Sequence, residues 1–193
     1  NKINLKDVDK FVEMIKQSSK PIFYTGGGVI NSGPEASELL RKLVSLTGFP
    51  ITSTLQGLGA YPGDDPQFLG MLGMHGTYEA NMSMNDADVI LAIGARFDDR
   101  VTNSDVSKFC PDATILHVDI DPAAISKTVT AHVPIVGPVV PVLEEMLEQV
   151  NASKVQIDEE ALAAWWKKID HWRERDSLAV TPAEGEVIKP QQV

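Results

Sequence analysis

The sequence predicts a doubly wound α/β fold, with a mainly parallel sheet of about six strands flanked by helices. Three observations lead there. Short, mostly apolar runs recur at residues 21–25, 89–93 and 114–120, and the bounded, branched run at 89–93 suits a strand buried on both faces of a sheet. Stretches with helical spacing of apolar residues separate them, which is the rhythm of strand, helix, strand units. The first two runs stop in glycine, and the second then enters a cluster of charges, as strands do at the carboxyl edge where ligands approach such sheets.

Taken in order, residues 5–17 place Val8, Phe11, Val12 and Ile15 at i, i+3, i+4, i+7 on one helix face. Residues 21–25 read as the first strand and end in Gly26, Gly27 and Gly28. Ser32, Gly33 and Pro34 signal a second helix, with Leu39, Leu40, Leu43 and Val44 on its apolar side, and residues 48–54 close the unit with a strand. Residues 55–76 are rich in glycine and lack a period. A connection of this length inside a compact domain is usually functional, and its interleaved apolar residues predict a loop folded against something. A helix over 77–85 then leads into the strand at 89–93.

Beyond the charges, residues 114–120 give another strand, and Asp121 offers an N-cap with Pro122 at the first helical position. Residues 133–136 form the last strand. Gly137 and Pro138 open a helix with Val140, Leu143, Met146, Leu147 and Val150 on its apolar face. Asp158 and Glu159 start the acidic first turn of a final helix, along which Leu162, Trp165, Trp166, Ile169 and Trp172 form a stripe. Two readings of these tryptophans stay open: they complete the core, or they dock a neighbouring domain. Residues 177–193 have no periodicity and read as a linker.

Composition removes several function classes. A net charge of −10 disfavours nonspecific binding to nucleic acid or to an anionic membrane. Cys110 is the only cysteine, so no internal disulfide and no cysteine zinc site can form, and four scattered histidines suggest no metal site. No apolar stretch reaches the ~18 to 20 residues of a membrane span, and no secretory pattern opens the chain. A cytoplasmic setting is expected.

The strand ends carry the candidate chemistry. A glycine turn before a helix can bring backbone N–H groups to a phosphate, though such a turn can equally serve chain reversal alone. The fingerprint GxGxxG fails because Asn31 stands at its third glycine, and the second strand ends at Thr54 instead of an acid, which disfavours a standard NAD site. Arg96 and Arg100 can neutralise a diphosphate, with Asp98 and Asp99 orienting them or accepting from a ligand; the plain alternative is a surface turn of paired charges. Asp119 and Asp121 can meet ribose hydroxyls, with helix capping the better reading of Asp121. His75, between Met74 and Gly76, is a conceivable general base without a nucleophile beside it in sequence.

The strings TLQGLGAYP at 54–62, LGMLGMHGTYEAN at 69–81, ADVILAIGARFDDRVT at 87–102 and HVDIDP at 117–122 resemble the central domain of the acetohydroxyacid synthase (acetolactate synthase) catalytic subunits. The similarity covers residues 5–193 and implies the Rossmann-like central domain of a thiamine-diphosphate enzyme, one of three α/β domains, holding FAD. It implies an FAD site of Gly26, Gly28, Asn31, Thr54, Leu55 and Gln56, with Leu72, Gly73, Met74, His75 and Gly76 at the flavin. Gly94, Ala95, Arg96, Asp98, Arg100 and Val101 surround the flavin and diphosphate, and Asp119, Ile120 and Gly137 the adenosine end. Met71, Asp99 and Arg100 are implied near the substrate channel where inhibitors of the family bind. Pro138 stands where the family commonly has an aspartate.

The same resemblance implies a fragment: residues 1–150 as the FAD-binding domain, and 151–193 as a helix and linker toward a domain that binds thiamine diphosphate. The glutamate that activates thiamine diphosphate and the motif that holds its Mg2+ are expected on the other two domains of the subunit, so no catalytic residue is expected here. Partners implied are those domains, further catalytic subunits in a homodimer or tetramer, and a small regulatory subunit. The reaction implied condenses two pyruvates, or pyruvate with 2-oxobutyrate, with loss of carbon dioxide, in branched-chain amino-acid synthesis. A related enzyme of the same cofactor class, or a non-catalytic nucleotide-binding regulatory module on this scaffold, is the alternative.

Overall fold

A computed structural model describes residues 5–102 and 106–180. The chain runs α1 (Leu5–Gln17), β1 (Pro21–Thr25), α2 (Gly27–Asn31), α3 (Pro34–Thr47), β2 (Ile51–Ser53), β3 (Phe68–Met71), α4 (Tyr78–Asp86), β4 (Val89–Ile93), α5 (Asp99–Thr102), β5 (Thr114–Asp119), β6 (Val133–Val136), α6 (Val139–Ser153) and α7 (Glu159–Arg173). The six strands are all parallel, in the order β3-β2-β1-β4-β5-β6.

Strand side chains alternate between faces, and each face has its own core. Phe23, Ile51, Leu91, Leu116 and Ile135 pack with residues of α1, α3 and α6, including the predicted Val8, Phe11, Val12 and Ile15. Ile22, Tyr24, Ile90, Ala92 and Ile115 pack on the other face with α4, α7 and Phe97. The helix ends follow local chemistry. Thr77 caps α4 by accepting from the Ala80 amide at 3.2 Å, Asp158 caps α7 by accepting from Ala161 at 2.9 Å, and Gly48 ends α3 in the left-handed conformation.

Four details differ from the sequence reading. The glycine-rich stretch contains the edge strand β3, which its irregularity conceals: the pairing with β2 shifts register between Ile51 and Ser53, and Gly70 has φ +88°. A five-residue helix, α2, begins within the triple glycine, with Gly26 at its N-cap. Residues 121–130 form turns instead of a helix. The Asp121 carboxylate accepts from Ala123 at 2.9 Å, but most of the segment is exposed and offers no apolar stripe to bury. In α6 the buried set is Val139, Val142, Leu143, Met146 and Val150, with Val140 and Leu147 on the flank.

The tryptophan stripe belongs to the core. Trp165 is buried at 2% exposure and donates its indole N–H to the Pro21 carbonyl at 3.0 Å, Trp166 donates to the Gly48 carbonyl at 2.9 Å, and Trp172 packs edge-on to Trp165 with centroids 5.8 Å apart. Helix α7 is also pinned by Lys168, which with Lys20 grips Asp86 at 2.7 and 3.3 Å. Among the described residues no helix is long and apolar enough to cross a membrane. Trp165→Ala should therefore lower stability by about 3–5 kcal/mol, read as a shift of the denaturant midpoint, because a large buried ring and its hydrogen bond go together.

Candidate functional site

In this strand order the chain leaves β1 toward β2 on one side and β4 toward β5 on the other, so a crevice opens where β1 and β4 end. Its floor is backbone. The Gly26 amide donates to the Ile93 carbonyl at 3.3 Å, Gly28 to the Gly94 carbonyl at 2.9 Å, and Gly94 to Val118 at 2.9 Å. A Cβ on Gly28 would stand 2.7 Å from the Gly94 Cα, and Gly94 itself has φ +58°. The glycines thus let two loops meet main chain to main chain, and the amides of Gly26 and Gly28 are already used within the protein. Full charge for an anion here can come from a side chain.

That side chain stands on a turn with an alternating pattern: Ala95 and Phe97 are buried while Arg96 and Asp98 are exposed. Phe97 anchors the turn. Its ring lies 5.3 Å from Tyr24, 6.1 Å from Phe109 and 5.3 Å from His117, the last at right angles, and the Tyr24 hydroxyl donates to the Arg96 carbonyl at 3.4 Å. Arg96 Nη2 meets Asp98 Oδ2 at 3.1 Å, with the two side chains 69% and 56% exposed. A pair this open to water contributes only ~0 to 1 kcal/mol, so little holds the guanidinium away from a stronger anion. Asp99 and Arg100 begin the short α5, with Val101 half-buried beside them; the Arg100 side chain lies outside what is described.

The other predicted residues border the same edge. Thr54 caps the turn after β2 by accepting from Gly57 at 3.1 Å, which leaves Leu55 and Gln56 exposed, and Asn31 ends α2 in solvent. After Met71, Leu72 is buried and donates its amide to the Ser53 carbonyl at 2.9 Å, so its side chain faces the core. Asn81 holds the following turn from both sides of Gly73, at 3.1 and 3.0 Å, with Met74 and His75 exposed and Gly76 closing it. No hydrogen bond or ion pair ties His75 to another described residue, so the general-base reading gains no partner. At the far end Asp119 is half-buried, Ile120 is exposed, and Gly137 donates to the Asp119 carbonyl at 3.0 Å.

Two features were not singled out as such from the sequence: an apolar rim, of which only Leu55, Met74 and Ile120 were named there, and a buried histidine. Ile30, Leu55, Leu58, Met74, Ile120 and Val136 are exposed large apolar residues at or just beyond strand ends on this one edge. Exposed apolar residues gathered along one edge are a feature of surfaces that bind ligands or partners. The second is His117, buried in β5 on the face of Phe97 and Tyr24. A histidine inside an apolar run, two residues before an aspartate and on its face, was the available signal. Burial pushes the His117 pKa down, against the nearby Asp119 carboxylate and the Ala95 carbonyl; burial raises those of Tyr24 and Cys110. Among the described residues no group of three or more His, Cys, Asp or Glu could hold a metal ion.

Residues 8–146 match the family model described as thiamine pyrophosphate enzyme, central domain. The chain belongs to this family. It is 50% identical over 190 residues to the acetolactate synthase large subunit of Buchnera aphidicola subsp. Schlechtendalia chinensis, covering 97% of this chain and 32% of that protein. The isozyme 3 large subunit of acetolactate synthase from Escherichia coli K12 is 47% identical over 186 residues, 96% of this chain and 32% of that protein. A probable acetolactate synthase large subunit of Methanocaldococcus jannaschii is 42% identical over 185 residues, with 96% and 30% covered. The chain thus spans about a third of the length of the curated relatives it matches.

In this central domain the edge suits an elongated ligand with an anionic middle and flat apolar ends: a close-packed backbone floor, one loosely held arginine over it, and apolar side chains to either side. The floor should be intolerant of side chains. Gly28→Ala should cost about 1–3 kcal/mol of stability in thermal or denaturant unfolding, because the new methyl meets backbone that cannot step aside.

Proposed function

We propose that this chain is the FAD-binding central domain of an acetolactate synthase large subunit. One observation carries the ligand assignment: Arg96 stands exposed on an anchored turn, directly beside a backbone floor closed by Gly28 and Gly94, with an apolar rim around it. The reaction assignment draws on the relatives, whose identity extends over nearly all of this chain.

In this reading Arg96 turns from Asp98 to the diphosphate as a planar fork, with Arg100 as a second cation. The segment from Leu72 to Gly76 borders the flavin ring, with Leu72 contributing backbone and Met74 an apolar side chain. Thr54, Leu55 and Gln56 lie along the ligand near Gly26, Gly28 and Asn31; Gly94, Ala95, Asp98 and Val101 frame its middle. Asp119 accepts ribose hydroxyls, and Ile120 and Gly137 enclose the adenosine end. A bound FAD supplies flat rings and a diphosphate at this edge. Joining two pyruvates with loss of one carbon dioxide takes up one proton and no external electrons, so the domain's task is to hold and shape.

Met71, Asp99 and Arg100 then face the substrate channel, while thiamine diphosphate and Mg2+ are held by other segments of the subunit. The whole enzyme would assemble as a homodimer or tetramer with a small regulatory subunit, in the cytoplasm.

Flavin released from the complete subunit and identified by mass, together with an acetolactate assay, tests the reading; a subunit without flavin, or one forming no acetolactate, overturns it. Arg96→Ala should weaken FAD binding roughly ten- to hundredfold, as expected for one lost charge-assisted contact. Its flavin-free melting temperature should stay nearly unchanged, since only an exposed pair is lost. Arg96→Lys should recover part of the affinity, because an ammonium cannot reproduce the fork.

A further inference from the structure

Beneath the Arg96 turn lies a polar ring that packing alone does not require. His117 is fully buried in β5, and neither ring nitrogen meets a hydrogen-bond partner. Buried polar groups are nearly always paired, because an unpaired one costs stability, so a ring left this way invites a functional account. Three groups surround it. Phe97 meets it edge-on at 5.3 Å, Asp119 Oδ2 lies 4.0 Å from Nε2, and the Ala95 backbone is close enough to favour a protonated ring. Tyr24 of β1, with Cys110 and Phe109 from the segment before β5, lie around Phe97 in the same core. Burial favours the uncharged forms of Tyr24, Cys110 and His117 alike, and a neutral imidazole has a single N–H to offer.

We propose that His117 is a positioning residue for the flavin site, setting both ends of the ligand from one point beneath them. On one side it draws the Asp119 carboxylate into place for the adenosine end; on the other its ring, packed on Phe97, fixes the turn that presents Arg96. The inference rests on the flavin reading above. His117 touches no ligand. The Asp121 amide already holds Asp119 Oδ1 at 2.9 Å, which leaves Oδ2, 4.0 Å from Nε2, as the oxygen that His117 can engage.

The test uses His117→Phe and His117→Gln in the complete subunit, with flavin titration and melting of the flavin-free protein measured side by side. His117→Phe removes two unpaired buried nitrogens and keeps a ring against Phe97, so it should melt at or above the wild-type temperature while binding FAD about three- to tenfold more weakly. His117→Gln keeps an N–H donor and should restore most of the affinity without raising the melting temperature. The proposal is overturned if His117→Phe binds FAD as wild type does, if both variants lose affinity equally, or if affinity merely follows melting temperature. Should His117→Phe fail to fold, His117→Leu and Asp119→Asn, alone and combined, decide the matter: the two effects on affinity must be non-additive, and additive effects overturn the coupling. A wild-type subunit that takes up no FAD instead defeats the flavin reading itself, which separates the two failures.

Discussion

The contact on which the rest of the site depends is the approach of two main chains at Gly28 and Gly94. Neither residue has a side chain to separate them, so the loops leaving β1 and β4 bond directly, amide to carbonyl at 2.9 Å. This contact fixes where the sheet's two halves diverge. It also sets the level on which anything entering the crevice must rest. No side chain separates the loops there, and the exposed apolar residues at or beyond the ends of five strands, β1, β2, β3, β5 and β6, lie along this same edge.

What stands on that floor is held from below. Phe97 is the anchor of its turn, and the exposed residues on either side, Arg96 and Asp98, owe their outward direction to its burial. The arrangement divides the labour by position: buried rings beneath, exposed charges above. Binding sites gain accuracy when charged groups are mounted on packed supports, because the supporting contacts are formed before the ligand arrives.

Much of this was legible in the sequence where one physical signal dominated. The runs at β1 and β4 are buried on both faces and read as largely apolar stretches, β5 is apolar apart from His117 and its polar ends, and the four positions of α1 repeat at helical spacing. Legibility failed where signals were short or opposed. Strand β3 is an edge strand broken by a positive-φ glycine, so no alternation survives in it. Asp121 and Pro122 have the composition of a helix start but no apolar stripe behind them, and capping alone does not make a helix. The tryptophan stripe was correctly seen as one face, but whether it met this core or another was a question of three-dimensional reach. His117 and Phe97 matter through contacts with residues far away in the chain, and local pattern is silent on those.

The end of α7 touches a part of the sheet that parallel folds leave vulnerable. Arg173, held over the ring of Trp166, donates to the carbonyls of Pro66 and Phe68 at 2.6 and 3.4 Å, on and just before β3. These acceptors lie along the outermost strand, where a free row of carbonyls and amides is a template for pairing with another chain. At the opposite border β6 is only four residues long and carries Pro134, which has no amide to offer. One border is blunted by a borrowed guanidinium and the other by proline and brevity, so a sheet with two open sides is guarded against growing into a neighbour's.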